Sequence, residues 1–589
     1  MKPLLFSVAI AALVACSPQT SQTPSENSQT ALPLEDTSGA QTTAWDKGAM
    51  VAAADPRAVE AGLEVLRNGG HAVDAAIAVH AVLGLVEPQS SGLGGGAFMM
   101  VYERASGKMT VFDGRETAPS AIGPDLFEKD GETMGFVDAW QSGRSVGVPG
   151  QVALYKAAHE AYGQSDWAGL FDAGIKLADE GFEVSPRLAS VLGNDRMRRF
   201  LRLDDNPGSK DYFFPEGEPL SEGALRDNPE YAATLRAIAS DGPAAFYTGA
   251  IAEAIVASAG AEPDGGAITL EDLAGYKVKQ RPALCGPYRT YQICSAPPPS
   301  SGGVAQAMIM GLYERLLPEG ATEEQALVAF VDAQRLAYAD RDHYVADADF
   351  VQVPSEDLIN PIYLDARATQ GGPVDGTPQP GDPGVVLGRA PMIDMWGRDT
   401  TEDAPGTTHI SIVDNEGNAV SMTATVEAAF GSSRWAAGFL LNNELTDFAR
   451  TPEINGKPVA NAPAAGKRPR SSMSPTLVFD ADGELHMVTG SPGGNSIIAY
   501  VAKTLVGVLD RGDTAQASVE RPNIIGRGQR VSVEVDRANG QALADKLKEL
   551  GYNVAERRGE NSGLHVIVVR EDGLEGGADP RREGVALKP

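Results

Sequence analysis

The chain has 589 residues, 42% hydrophobic and 22% charged, the composition of an ordinary globular protein. At about 150 residues per domain it has room for several domains or one large enzyme. Its 79 acidic against 49 basic side chains leave a net charge of −30 and a pI near 4.6, which disfavours electrostatic attraction to nucleic acid and excludes a DNA- or RNA-binding role.

Residues 1–15 carry Lys2 ahead of an apolar stretch too short to span a bilayer, the pattern of an export signal. The stretch ends in Leu13-Val14-Ala15-Cys16, which resembles the lipobox of bacterial lipoproteins, cut before a Cys that is then acylated. Ser17 after it favours the outer membrane; a plain secretory signal that happens to contain a Cys is the alternative. Several acyl chains on Cys16 anchor stably where one is marginal. Residues 16–44 are rich in Ser, Thr, Gln and Pro and show no hydrophobic period, so they read as a flexible tether. No later stretch is long and apolar enough to span a bilayer.

Beyond the tether, helix and strand patterns alternate. Residues 55–68 and 72–85 have helical period and are parted by the Gly69-Gly70 stop, and 98–102 and 109–112 read as strands around a Ser-Gly turn. From 148 to about 350 the pattern is mainly helical, clearest at 232–240, 248–258 and 322–344. Residues 269–276 read as a short helix with Thr269 as N-cap and Asp272 three residues on. Cys285 and Cys294 flank a stretch that turns near Arg289 and Thr290. A hairpin there sets them opposite one another, open either to a disulfide in an exported protein or to burial as two small hydrophobes. Between 370 and 406, 14 of 37 residues are Gly or Pro, a long loop-like density for a compact protein. Strand, turn and strand follow at once: 408–413, DNEGN and 419–425.

Some motifs mislead. Gly92-Leu93-Gly94-Gly95-Gly96-Ala97 matches a loose dinucleotide-binding pattern, yet it opens a strand and not a helix, so no helix N-terminus follows to cradle a phosphate. Gly143-Arg144-Ser145-Val146-Gly147 matches the nucleophile elbow of serine hydrolases without the hydrophobic strand that must precede it. The seven histidines, at 71, 80, 159, 343, 409, 486 and 565, show no ligand spacing, so neither a metal nor any other cofactor is expected.

The last third carries the stronger constellation. Thr407-Thr408-His409 opens a strand directly after the Gly/Pro segment. Gly490-Ser491-Pro492-Gly493-Gly494 precedes an apolar helical run over 496–509, so two glycine N–H groups stand at a helix N-terminus, where they suit an oxyanion. One such donor is worth about 2.7–4 kcal/mol in a transition state, although a Gly-Gly before a helix is by itself an ordinary tight turn. Nine motifs then occur in order between about residue 50 and 584: SSGLGGGAFMMVY, DGRETAP, SVGVPG, APPPSSGG, TTHISIVDNEGNAVSMTAT, GFLLNNELTDF, KRPRSSMSPT, TGSPGG and GADPRREG. Together they resemble the gamma-glutamyltransferases (gamma-glutamyl transpeptidases) of the N-terminal-nucleophile hydrolase superfamily.

The resemblance implies an α/β (α+β) fold, the four-layer αββα sandwich of that superfamily. It also implies a precursor cut before Thr407 into a large subunit, 45–406, and a small subunit, 407–589, that stay together as a heterodimer. The cut frees an α-amine with a reference pKa of about 7.7–8.0, partly neutral near pH 7 and able to activate the threonine's own hydroxyl, so no catalytic His is required. By the same resemblance Thr407 attacks gamma-glutamyl amides such as glutathione, Gly493 and Gly494 stabilise the oxyanion, and Thr425 bonds the nucleophile. Water or an amino acid or peptide then takes the acyl group. Arg115 matches the family's carboxylate-binding arginine, a charge-assisted contact worth about 1.5–3 kcal/mol, with Ser471 and Ser472 beside it. Glu444 and Asp447 match the acidic positions that hold the substrate's amine.

Two departures bear on the substrate. Glu427 stands where family members commonly have Asn, adding a third carboxylate opposite Arg115, which favours a cationic group on the substrate or raises one carboxyl pKa. Residues 449–466 are shorter than the family's lid and contain no tyrosine. Two other readings remain open. One is a related acylase or amidase, such as a glutaryl-type cephalosporin acylase or a poly-gamma-glutamate depolymerase. The other is a non-enzymatic periplasmic binding lipoprotein, against which the intact Thr407, Thr425, Gly493 and Gly494 argue.

Overall fold

The computed structural model describes residues 44–372, 376–401 and 406–589; the export signal, Cys16 and the tether up to residue 43 lie outside the described residues. In chain order, β1 (Met50–Ala53) leads into two helices, α1 (Pro56–Arg67) and α2 (Ala72–Val86). The Asp55 side chain caps α1 by accepting the Arg57 N–H, and Gly69 ends the turn at φ 83°. A hairpin of β2 (Gly96–Glu103) and β3 (Lys108–Gly114) follows. Residues 136–275 are mostly short helices, closing with the capped Thr269 turn the sequence predicts. Next come β4 (Lys279–Arg281), β5 (Leu284–Tyr288), β6 (Tyr291–Ser295), α3 (Gly302–Leu316) and α4 (Glu323–Tyr344). Cys285 and Cys294 are paired across the β5–β6 hairpin and joined as a disulfide. Apart from short helices such as Pro383–Val386, the Gly/Pro-rich segment is loop among its described residues.

The remaining third supplies β7 (Thr407–Val413), β8 (Ala419–Thr425), β9 (Thr476–Phe479), β10 (Leu485–Gly490), α5 (Ile497–Leu509), β11 (His565–Arg570), β12 (Gly573–Ala578) and β13 (Val585–Leu587). Seven strands form one sheet in the order β13-β1-β7-β8-β2-β3-β4, and six form a second in the order β12-β11-β10-β9-β6-β5. Residues 44–589 are one compact unit, so the length reflects one large body and not a string of domains.

Period-two alternation sets the layers. Along β2, Ala97, Met99 and Val101 pack against the core of α1 and α2, while Phe98, Met100 and Tyr102 join the core shared with the second sheet and with α3, α4 and α5. In β7 the helix-facing positions are apolar Ile410 and Ile412, and the opposite face carries Thr407, His409 and Ser411. This polar row is satisfied between the sheets. His409 bonds Thr423 at 2.9 Å and Ser411 at 3.0 Å, and Ser411 donates to the His565 carbonyl at 3.0 Å. Burial holds both imidazoles neutral, His565 at about 4 and His409 well below its usual value. Two sheets sandwiched by helices are the predicted αββα arrangement.

Candidate active site

The five-residue DNEGN turn determines the β7–β8 register: Val413 pairs with Ala419 and, at the far end, Thr407 with Thr425. Thr407 and Thr425 Oγ1 are 3.2 Å apart. Thr425 Oγ1 donates to the Gly406 carbonyl at 3.0 Å and accepts the Glu427 N–H at 2.7 Å. A hydroxyl has one hydrogen to give and two lone pairs. With its hydrogen on Gly406, Thr425 can meet Thr407 only as acceptor, so the Thr407 hydrogen points at Thr425 and its lone pairs are left clear. One side chain thus orients the Thr407 hydroxyl and bonds the carbonyl before it. The close fit depends on Gly95, where a Cβ would stand 2.0 Å from the Thr425 carbonyl.

Around Thr407 lies a small pocket lined by Arg115, Thr425, Glu427, Glu444, Asp447, Ser471, Ser472, Gly494 and the apolar Met473 and Ile497. Nine of the ten predicted site residues therefore converge on one cavity, and Gly493 adjoins it in sequence. Arg115 is fully buried. Nε donates to the Pro469 carbonyl at 3.2 Å; Nη1 bonds Glu444; Nη2 bonds Asp447 at 2.5 Å and the Arg470 carbonyl at 2.9 Å. Four of its five N–H donors are thereby engaged. Burial opposes the charge on Arg115, but Glu444, Asp447 and Glu116 outweigh it and hold the guanidinium above its usual value. Burial likewise drives Glu444 well up and Glu116 up to about 7, with Arg115 opposing both. Three carboxylates around one guanidinium retain a proton near neutral pH, a property of the cluster rather than of one residue.

The Gly493-Gly494 turn has φ of 139° and 55°, the left-handed region that favours glycine. A Cβ on Gly493 would stand 2.5 Å from the Tyr500 ring. The helix expected from 496 starts as a tighter turn, Gly494–Ser496, before α5. Ser472 is held by Arg341 Nη2 at 2.5 Å, and Arg341 Nε in turn reaches Ser301 of the APPPSSGG motif at 3.1 Å. Glu427 is buried at φ 76°.

The misleading motifs are structural. Ser145 Oγ lies 2.8 Å from both the Trp140 and the Ser142 carbonyl, which share its one hydrogen, and Gly92–Ala97 leads into β2. No group of His, Cys, Asp or Glu among the described residues is arranged to hold a metal. Several contributors escaped the sequence reading. Asn442 Oδ1 accepts the N–H groups of Gly147 and Glu444, and its Nδ2 donates to the Gly94 and Gly147 carbonyls, which ties three of the motifs together at 2.8–3.0 Å. Arg582 Nη1 donates to the Thr407 carbonyl at 2.8 Å. Their signal lay inside the quoted motifs, but only the folded chain shows what each touches.

Known proteins match this chain over most of its length. A family model described as Gamma-glutamyltranspeptidase matches residues 58–588. The glutathione hydrolase proenzyme of Escherichia coli (strain K12) is 35% identical over 546 residues, covering 91% of this chain and 90% of that protein. The proenzyme of Bacillus subtilis (strain 168) is 34% identical over 552 residues, covering 92% and 91%. Among solved structures, a cephalosporin acylase from Bacillus halodurans superposes with a TM-score of 0.80 over 98% of this chain and 99% of its own, at 24% identity, a likeness of fold. Helicobacter pylori gamma-glutamyltranspeptidase gives 0.50 at 34% identity over 59% of this chain and 96% of its own.

Proposed function

Because the chain belongs to the gamma-glutamyltranspeptidase family, we propose that it is made as a proenzyme and acts as an N-terminal-threonine hydrolase and acyltransferase of gamma-glutamyl amides, glutathione among them. The observation that carries this reading is the Thr407–Thr425 hydroxyl pair beside the Gly406 carbonyl, on the wall of a pocket with one guanidinium and several carboxylates. In the precursor, Thr407 Oγ attacks the Gly406 carbonyl carbon. The C–N bond to Thr407 breaks, the released nitrogen takes the hydroxyl's proton, and water cleaves the resulting ester to leave a Gly406 carboxylate and a free Thr407 amine. The two subunits, 45–406 and 407–589, remain associated.

In turnover the freed amine accepts the Oγ proton as Oγ attacks the substrate's γ-carbonyl carbon. The oxyanion accepts from the Gly493 and Gly494 N–H groups. Collapse expels the leaving amine, which carries the proton away, and the gamma-glutamyl ester passes to water or to an acceptor's amine. Substrate recognition is an exchange of ion pairs. The incoming α-carboxylate takes Nη donors of Arg115 from Glu444 and Asp447, and those carboxylates, with Glu427, turn to the α-ammonium group while Ser471 and Ser472 flank the carboxylate. Opposite charges replace one another, so the exchange leaves no buried charge unpaired.

A denaturing gel tests the reading: wild type runs as two bands and Thr407→Ala as one. A single band from wild type, or two from Thr407→Ala, sinks it. Chromophore release from gamma-glutamyl but not glutaryl anilides separates the transferase from an acylase. The leader supports export and outer-membrane anchoring through acylated Cys16, for which the expected result is that Cys16→Ala moves the protein from the membrane to the soluble fraction.

A further inference from the structure

Arg582 lies between β12 and β13, 6% exposed. Besides the Thr407 carbonyl, it donates to the Asn561 carbonyl at 3.2 Å. The fit is close: a Cβ on Gly563 would stand 2.6 Å from Arg582 Cδ and 2.8 Å from Pro492 of the glycine turn. The carbonyl that Arg582 holds belongs to the residue whose nitrogen becomes the free amine, three bonds away. From backbone dimensions the guanidinium therefore lies within roughly 6 Å of that nitrogen, a range over which a charged neighbour moves a pKa by about 1–3 units.

A neutral donor would hold a carbonyl as well, and a buried cation is a costly way to do it. Burial and neighbouring Arg187 push Arg582 down to about 9, which still leaves it charged near neutral pH. The other charges have their own partners. Across the pocket, Glu444 and Asp447 are bonded to Arg115, Glu116 lies 4.0 Å from it, and Glu427 lines the pocket as well. Behind Arg582, Glu87 pairs with Arg187 at 2.8 Å and Asp579 with Arg581 at 2.9 Å, while His565, near Gly584, is neutral. Arg582 is the cation in contact with Thr407 itself.

We propose that Arg582 is a positioning residue that lowers the proton affinity of the α-amine freed at Thr407, keeping that amine a base at and below neutral pH. The inference rests on the reading of Thr407 as the amino-terminal nucleophile. The amine is titrated in the cut wild-type enzyme through the pH dependence of its carbamylation by cyanate, read as mass gain of the amino-terminal peptide of the small subunit. The expected midpoint lies at least about half a unit below the 7.7–8.0 reference; a smaller depression overturns the proposal without recourse to any variant. In Arg582→Gln, that midpoint and the acid limb of kcat/KM, each scaled to its own plateau, rise together by about one unit, a tenfold loss of relative rate one unit below the wild-type midpoint. Arg582→Lys, which keeps the charge, moves both by less than half as much. An unmoved acid limb in a cut Arg582→Gln enzyme reduces Arg582 to a backbone anchor and also overturns the proposal. Amino-terminal sequencing separates the two levels: if no chain begins at Thr407, the nucleophile reading itself fails.

Discussion

Thr425→Val replaces a hydroxyl by a methyl of similar shape on a strand that favours β-branched residues, so the β7–β8 pairing survives. What is lost is specific: the donor on the Gly406 carbonyl and the acceptor for the Thr407 hydroxyl. A donor aimed at a carbonyl that becomes an oxyanion is worth about 2.7–4 kcal/mol, or roughly 10²–10³ in rate. The Glu427 N–H loses its acceptor as well, at about 1–3 kcal/mol of stability, which a protein of this size can lose without unfolding. Precursor purified in the cold and then warmed, with cutting followed on denaturing gels, should therefore show wild-type cleavage slowed by two to three orders of magnitude in Thr425→Val. Thr425→Ser keeps both roles and should recover most of the rate. If Thr425→Val cuts within about threefold of wild type, a difference of under 1 kcal/mol in barrier, the hydrogen inventory around Thr425 is wrong.

Arg115→Lys keeps the charge but not the fork that serves two carboxylates and two carbonyls, and kcat/KM for a gamma-glutamyl anilide should drop between about tenfold and a hundredfold, the worth of a charge-assisted contact. Glu427→Asn removes one negative charge from the pocket and should raise turnover of gamma-glutamyl donors in steady-state assays; an unchanged rate rules Glu427 out as a selectivity group. Stability should depend on pH through two opposed groups. His565, near 6.5 when unfolded and held at about 4 when folded, takes up a proton more readily in the unfolded chain. Its contribution is complete above pH 6.5 and is lost as pH falls toward 4, by about 3 kcal/mol. Glu116, raised to about 7, acts in the opposite sense, its contribution present below about 4.5 and lost as pH rises through 7. The two windows overlap and the effects oppose, so urea midpoints are compared at pH 4.5 and 6.5 in the uncut Thr407→Ala chain with and without Glu116→Gln: the midpoint should fall on acidification only once Glu116 is replaced, and a pH-independent midpoint in that double variant refutes the His565 reading.

Much of the catalytic end was legible because its determinants are local. The Gly/Pro segment marks where β7 begins, and a five-residue turn between two strands of equal length makes Thr425 the partner of Thr407 by counting. The helices at 55–68, 72–85 and 322–344 were legible from period, caps and breaks, and appear within a residue or two of their predicted ends. The binding end is different. That Arg115 is bonded by Glu444 and Asp447 depends on residues more than 300 positions apart meeting across the fold. Asn442 in a run of polar residues, or Arg582 in a basic pair, has no periodicity to betray burial. Arg341 reads as one more charge on a helix until Ser301 and Ser472 are seen around it. The disulfide lay between: the hairpin was predictable, the pairing only from register.

The strand order of the first sheet has a further consequence. On the proposed cut before Thr407, β1 falls in the large subunit while its neighbours on both sides, β13 and β7, fall in the small one, and in the second sheet β9–β12 continue into β6 and β5. Each piece would supply rungs the other lacks, so scission there would cost the assembly little cohesion. It does erase the route back. A denatured precursor is one thread that can search for its own partners, whereas two denatured pieces must find each other and interleave, in competition with clumping through unpaired strand edges. For the cut protein, durability is then a matter of how slowly it opens and not of an equilibrium it can revisit. Folding information is used once, before the enzyme becomes active.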